Sequence, residues 1–212
     1  MGFYRERILP RLVHRFLNNR HVNAERDQCI AQARGLVLEI GFGSGLNLPF
    51  YRPGVKRLFA VDPSLLALQI AQKTFPHPAF PLQYMPFPAE VLPFEDSMID
   101  TVVVTFSLCT VVDPVIVLQE ARRVLKPGGK FLFLEHGASQ DPFILRWQNR
   151  LTPIHSCLSG GCQLNRKIDE LVTQNGFQIQ EIEKQYLKGP RVATYIYRGV
   201  AVPDKGVAFV AA

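Results

Sequence analysis

The chain has no run of about 18 uninterrupted apolar residues, the length a membrane-spanning helix requires. It has no internal repeat and no low-complexity tract, which excludes solenoids and disordered linkers. Cysteine is scarce: Cys29, Cys109, Cys157 and Cys162 are too few and scattered to staple 212 residues, so a disulfide framework is excluded and a reducing compartment fits. Cys157 and Cys162 with His155 could be imagined as a metal site. They lack a paired CxxC partner, and cysteine is often a small buried hydrophobe, so no metal is expected. The opening stretch MGFYRERILPRLVHRF scatters charges among its apolar positions and has no small-residue cleavage site, so no secretory signal is expected and the protein is read as cytoplasmic. No lysine-rich tail or aromatic-interleaved basic stripe points to nucleic acid.

What is present has the balance of a soluble globular domain, with 47% hydrophobic and 20% charged residues in a length that suits one large domain. The net charge is +6, concentrated near the start, where residues 1–34 hold seven arginines against Glu6, Glu25 and Asp27. Ile8, Leu12 and Phe16 recur there at helical spacing, and Pro10 predicts a helix that begins or kinks near residue 10. Such a helix can dock on its own domain, cover a substrate entrance, or rest on a membrane surface as a peripheral contact. Residues 1–34 are therefore expected to form an N-terminal helical segment, ahead of a single domain over 35–212.

Short, continuously apolar runs follow: 35–41, KRLFAVD from 56, FPLQYM from 80, IDTVVVTF from 99 and GKFLFLEH from 129. Helical patterns such as SLLALQIAQKTF and PVIVLQEARRVLK separate several of them, which predicts a doubly wound α/β domain around a mostly parallel sheet. GFQIQEIEKQYL and VATYIYRGVAV alternate in polarity with no helix between them, which predicts an antiparallel hairpin at the sheet edge and brings the count to seven strands. The long segment 137–176, which carries the only tryptophan, is expected to cover the substrate.

The stretch LVLEIGFGSGLNLPFY places glycines at 41, 43 and 45 after the first strand, where a doubly wound sheet binds its ligands. Three missing Cβ atoms let the backbone turn tightly and touch a ligand. The dinucleotide fingerprint fails, because position 46 is leucine. Glu39, two residues before the first glycine, suits a cationic ligand better than a phosphate. Asp62 ends the second strand, where an acid can accept both hydroxyls of a ribose or cap the next helix; Ser64 could cap it equally well.

Glu39-Ile-Gly41-Phe-Gly43-Ser-Gly45, Val61-Asp62, Ala89-Glu90-x-Leu92-Pro93-Phe94, Asp100 and Leu125-Lys-Pro-Gly-Gly129 together resemble the ordered signature of class I S-adenosylmethionine-dependent methyltransferases. SGLNLPFY, SLCTV, LEHGASQDPFILRWQNRLTP, GGCQLNR and GPRVATYIYRGVA extend the resemblance over nearly the whole chain. They are similar to a bacterial small-molecule group and, more distantly, to the microsomal alkyl-thiol methyltransferases.

The resemblance implies a Rossmann-like fold with S-adenosylmethionine as cofactor. It implies that Gly41, Gly43 and Gly45 lie along the methionine and ribose, that Asp62 holds the ribose hydroxyls and that Ala89 and Glu90 flank the adenine. Phe42, Asn47, Pro63 and Thr105 join Glu39 as further cofactor contacts. His136, just past the fifth strand, is the candidate general base, with the hydroxyls of Ser107 and Thr110 beside it. Trp147, Asn165 and Arg166 are candidate substrate contacts. The expected reaction is methylation of a small lipophilic acceptor, a thiol among them. A lipid, quinone or phospholipid headgroup at a membrane surface and a non-catalytic cofactor-binding module are the alternatives, and oligomeric state is left open.

Overall fold

The computed structural model describes residues 3–204; the expectations that fall on residues 1–2 and 205–212 lie outside the described residues. Seven strands form one sheet in the order β3-β2-β1-β4-β5-β7-β6. They are β1 (Gly35–Ile40), β2 (Val55–Val61), β3 (Leu82–Met85), β4 (Ile99–Thr105), β5 (Leu125–His136), β6 (Phe177–Tyr186) and β7 (Tyr195–Pro203). β1 to β5 pair in parallel, β7 pairs antiparallel to β5, and β6 pairs antiparallel to β7. The predicted hairpin is therefore present, with its second strand, rather than its first, lying against the parallel sheet.

Alternation along the central strands feeds two apolar layers, as successive side chains must point to opposite faces. Leu38, Ile40, Val102, Val104, Phe131 and Phe133 pack on one face with α4 (Pro114–Val124) and α6 (Ile168–Gln174). Val37, Leu58, Val103, Leu132 and Leu134 pack on the other with α2 (Arg20–Ile30) and α3 (Leu65–Thr74). Burial on both faces is why these strands read as unbroken apolar runs. α2 begins at Asn19, whose side chain accepts hydrogen bonds from the amides of His21 and Val22, and buries Val22, Cys29 and Ile30. The second half of the basic N-terminal segment is thus part of the core.

α1 (Leu9–Leu17) is preceded by one wide helical turn over Tyr4–Ile8, and Pro10 sits in its first turn, where a missing N–H costs nothing. None of its side chains is buried. The stretch 137–176 folds into α5 (Pro142–Leu158), a glycine-containing loop and α6. Lys126 to Gly128, ahead of the apolar run expected from 129, already belong to β5, with a register irregularity opposite Ile99 and Thr101. Asp100, part of the motif series, serves the sheet: its carboxylate accepts from the Leu36 amide at 2.8 Å and pairs with Lys126 Nζ at 2.6 Å.

Candidate functional site

A cavity of about 380 Å³ opens at the carboxyl ends of β1, β2 and β4, within the size range of small-molecule sites. Gly41, Gly43 and Gly45 all have φ between +56° and +76°, a region that side-chain-bearing residues rarely occupy. They are needed for different reasons. A Cβ on Gly41 would fall 1.8 Å from Ser107 Oγ, and one on Gly45 would press on Ala71, Leu48 and Phe42 at 3.1 to 3.2 Å. A Cβ on Gly43 would have only the Gly41 carbonyl within 4 Å. No protein atom demands its absence there, so the open space above Gly43 is room for a ligand.

Asp62, half-buried at the end of β2, accepts from the Gly43 amide through Oδ2 and from the Ser64 amide through Oδ1, both at 2.8 Å. Ser64 is the residue that caps α3, through a bond from the Ala67 amide, so the two readings of Asp62 separate. Burial raises the Asp62 pKa against the pull of its two amide donors. Glu39 is 1% exposed, accepting from Asn47 Nδ2 at 2.9 Å and from the Tyr51 hydroxyl at 2.6 Å. Burial pushes its pKa up to about 7, with Tyr51, Asn47 and Arg26 opposing the rise.

Arg26, on the buried face of α2, completes this network, and no motif pointed to it. Its Nη1 donates to Asn47 Oδ1 at 2.5 Å and to Thr105 Oγ1 at 3.2 Å, and its guanidinium lies 5.3 Å from the centre of the Phe106 ring. Arg26 Nε has no hydrogen-bond partner among the described residues, and burial lowers the pKa to about 10. A buried N–H without an acceptor costs about 1–3 kcal/mol, and Arg26 lines the cavity, so an anionic group there that reached this N–H would relieve that cost. The signal in the sequence was that Arg26 shares a helical stripe with Val22, Cys29 and Ile30.

Apart from the hydroxyls of Ser44, Ser107 and Thr110, the remaining walls are apolar: Val13 and Leu17 from α1, Leu46 from the glycine loop, Phe87 after β3, and Phe106, Val111 and Val112 after β4. Phe106 adopts φ +53°, a strained position that the fold holds with a hydrogen bond from its backbone N–H to the Leu134 carbonyl. Just beyond it, the buried Glu135 carboxylate accepts from three successive amides, Ser107, Leu108 and Cys109, at 2.8 to 3.1 Å. Arg123 and Glu120 of α4 hold the loop after β3 by bonding the backbone of Leu92 and Phe94, which sets Ala89 and Glu90 at the cavity edge.

Of the residues singled out in the sequence, Glu39, Gly41, Phe42, Gly43, Asp62, Pro63, Ala89, Glu90, Thr105, Ser107 and Thr110 line this cavity. Gly45 and Asn47 support it from beneath. His136 does not line it; its ring is buried, with Nδ1 3.6 Å from Cys162 Sγ. Trp147 is 42% exposed on α5, with Arg150 stacked over it at 5.5 Å. Asn165 donates to Asn149 Oδ1, and Arg166 anchors its loop on the carbonyls of Leu108 and Val111. None of these three side chains lines the cavity. Among the described residues, no group of three or more His, Cys, Asp or Glu side chains is arranged to hold a metal ion.

These residues fit a ligand with a carboxylate at one end, vicinal hydroxyls in the middle and a flat ring at the other: the orphan N–H of Arg26, the free lone pairs of Asp62, and the Ala89 edge. Residues 38–133 match the family model described as a methyltransferase domain. The chain is 33% identical to human thiol S-methyltransferase TMT1B over 181 residues, which cover 79% of this chain and 73% of that protein. It is 35% identical to the rat protein of the same name over 155 residues, covering 70% of this chain and 62% of its relative, so it spans under two thirds of that length. A solved S-adenosylmethionine-dependent methyltransferase from Methanosarcina mazei shares the fold, with a TM-score of 0.65, 21% identity, and coverage of 82% of this chain and 95% of that one.

Proposed function

Because the chain belongs to the S-adenosylmethionine-dependent methyltransferase family, we propose that it methylates a small lipophilic acceptor, an alkyl thiol in particular. The observation that carries this reading is one cavity with a hydrogen-bonding floor and an apolar mouth. Bound on that floor, the sulfonium cofactor supplies a methyl group already activated for transfer, so the protein contributes mainly alignment. Arg26 offers its guanidinium to the methionine carboxylate, Asp62 its remaining lone pairs to the ribose hydroxyls, and Pro63, Ala89 and Glu90 a slot for the adenine. Gly43 leaves the loop backbone bare along the ligand.

Val13, Leu17, Phe106 and Val111 then enclose the acceptor and exclude water. The described lining contains no histidine or lysine. Of the lining carboxylates, Glu39 is held by Asn47 and Tyr51, while in this reading Asp62 serves two loop amides and the ribose hydroxyls and Glu90 the adenine slot. Such a site favours a nucleophile that ionises by itself, as an alkyl thiol with pKa near ~8.5 does. The names of the two TMT1B relatives support the same acceptor class.

Calorimetric titration with S-adenosylmethionine and S-adenosylhomocysteine, followed by methyl transfer to alkyl thiols, phenols, quinols and phospholipid headgroups, tests the proposal. Cofactor binding with thiol turnover that rises with thiol ionisation is expected. No binding overturns the cofactor site; binding with turnover confined to another acceptor overturns the thiol.

A second reading, action at a membrane surface, is favoured by the exposure of Leu12, Val13 and Phe16 on α1, and of Phe143, Ile154 and Leu158 on α5, beside the arginines of α1. No helix among the described residues is long and apolar enough to cross a membrane. Co-sedimentation with anionic vesicles that is lost on combining Leu12→Glu with Phe16→Glu supports this reading, and no binding at low salt overturns it.

A further inference from the structure

Outside the cavity, directly behind the wall formed by residues 107–112, lies a cluster of sulfur and imidazole groups that methyl transfer does not use. Cys109 sits in the turn capped by Glu135, Cys162 in the loop between α5 and α6, His136 at the end of β5 and His155 in the last turn of α5. The Sγ atoms of Cys109 and Cys162 are 3.7 Å apart, and His136 Nδ1 is 3.6 Å from Cys162 Sγ. His155 Nδ1 lies 3.3 Å from the Cys162 carbonyl oxygen. The Gln163 amide donates to the Cys109 carbonyl at 2.7 Å, so the two backbones are already clamped side by side. We propose that Cys109 and Cys162 form a peroxide-oxidisable dithiol pair, with Cys162 as the attacking thiolate and Cys109 as the resolving thiol.

The two sulfurs are unlike. The hydrogen bond with Cys109, reinforced by those with His136 and His155, holds the Cys162 thiol well below the usual thiol range despite its burial. The same bond, together with full burial and the nearby Glu135 carboxylate, pushes Cys109 well above it. Cys162 is partly exposed and Cys109 is 2% exposed, so the nucleophile faces the reagent and its partner does not. The other two cysteines provide references within the same chain: burial drives the Cys29 thiol up to about 12, and Cys157 is exposed on α5.

The chemistry balances with hydrogen peroxide as oxidant. The Cys162 thiolate attacks one peroxide oxygen, an S–O bond forms as the O–O bond breaks, and the departing hydroxide takes a proton and leaves as water. Cys109 then gives up its proton, its sulfur attacks that of Cys162, and the S–O bond breaks to release a second water. The pair loses two electrons and the peroxide gains them.

A disulfide needs the sulfurs about 2.05 Å apart, an approach of about 1.7 Å. Gly160 and Gly161, at φ +76° and +120°, give the Cys162 loop backbone conformations that side-chain-bearing residues rarely adopt. The Cβ direction of Gly161 points to within 2.8 Å of the Thr110 carbonyl. Closing the bond would therefore draw this loop onto the turn that supplies Ser107, Thr110 and Val111 to the cavity.

The test uses the reduced full chain exposed to hydrogen peroxide, with remaining thiols alkylated and the peptides mapped by mass spectrometry. A Cys109–Cys162 linked peptide that dithiothreitol abolishes is expected, and Cys162 should be consumed about 10-fold faster than Cys157. Alkylation of Cys162 should persist below pH ~6, where an ordinary thiol is protonated. In Cys109→Ser, Cys162 should stop at sulfenic or sulfinic acid; in Cys162→Ser, Cys109 should resist oxidation. Oxidation of Cys157 first, or of Cys162 without a link to Cys109 in the unsubstituted chain, overturns the pair. Readiness of Cys109 to oxidise in Cys162→Ser reverses the assigned roles and overturns them. The readout is thiol chemistry in the unsubstituted chain, so it stands whether or not a methyl acceptor is found.

Discussion

Beneath the cavity, Glu39, Asn47, Thr105 and Arg26 are bonded to one another inside the protein, whereas above it α1 contributes Val13 and Leu17 from a helix with no buried side chain. The lower network fixes each polar group before any ligand arrives, which is what recognition of one defined cofactor requires. The upper wall is held by lighter ties: the Tyr4 hydroxyl donates to the Leu158 carbonyl, and His14 Nδ1 meets Ser44 Oγ at 2.8 Å. A wall of that kind distinguishes acceptors by size and apolarity rather than by hydrogen bonds, and one extra or missing methylene there is worth only about 1–3 kcal/mol.

Breaking the floor should cost most. Arg26→Met leaves Asn47 and Thr105 without their cationic donor and removes the candidate carboxylate partner; a loss of about 3–5 kcal/mol, divided between thermal stability and cofactor affinity, is expected from melting and titration together. Asp62→Ala should weaken S-adenosylmethionine binding by about 1.5–3 kcal/mol in the same titration. Unchanged affinity in both variants would remove the distinction between the two halves.

On the roof, Leu17→Ala should lower kcat/KM for a long-chain thiol by about 1 kcal/mol while leaving the cofactor Kd as it was. An equal effect on both parameters would mean that α1 serves the floor as well. The smallest effect is on pH dependence. Between pH 4.5 and about 7 the unfolded chain has released the Glu39 proton while the folded chain still holds it. This contribution to stability is complete below 4.5 and disappears as pH rises through about 7, so Glu39→Gln should flatten the fall in Tm across that window. A slope equal to that of the unsubstituted protein would place the titration elsewhere.

The floor was more legible in the sequence than the roof. Glycines at 41, 43 and 45 and an acid at 62 declare themselves because backbone geometry and strand ends are local properties, and the continuous apolar runs gave away a sheet buried on both faces. Arg26 stayed hidden because a cation on a core-facing helical stripe acquires meaning only when distant Asn47 and Thr105 are brought to it. His136 was found by its position at a strand end, but position does not fix direction: neighbouring residues of a strand point to opposite sides, and its ring meets Cys162. Trp147 drew attention by rarity, yet α5 turns it outward. The division of 137–176 into two helices and a loop carrying a reactive-thiol candidate depends on contacts with the turn after β4, which no local pattern records.

The placement of β7 between β5 and β6 has a consequence for synthesis. As the chain emerges from the ribosome, β5 presents a bare row of backbone donors and acceptors, and β6 cannot fill it, because the strand that belongs there, β7, is made after β6. Phe131 waits for Ala201, and His136 for Ile196. Sheet closure is thus a late event of high contact order, and the interval before residues 195–203 emerge is when a nascent chain is most open to pairing with its neighbours on the same polysome.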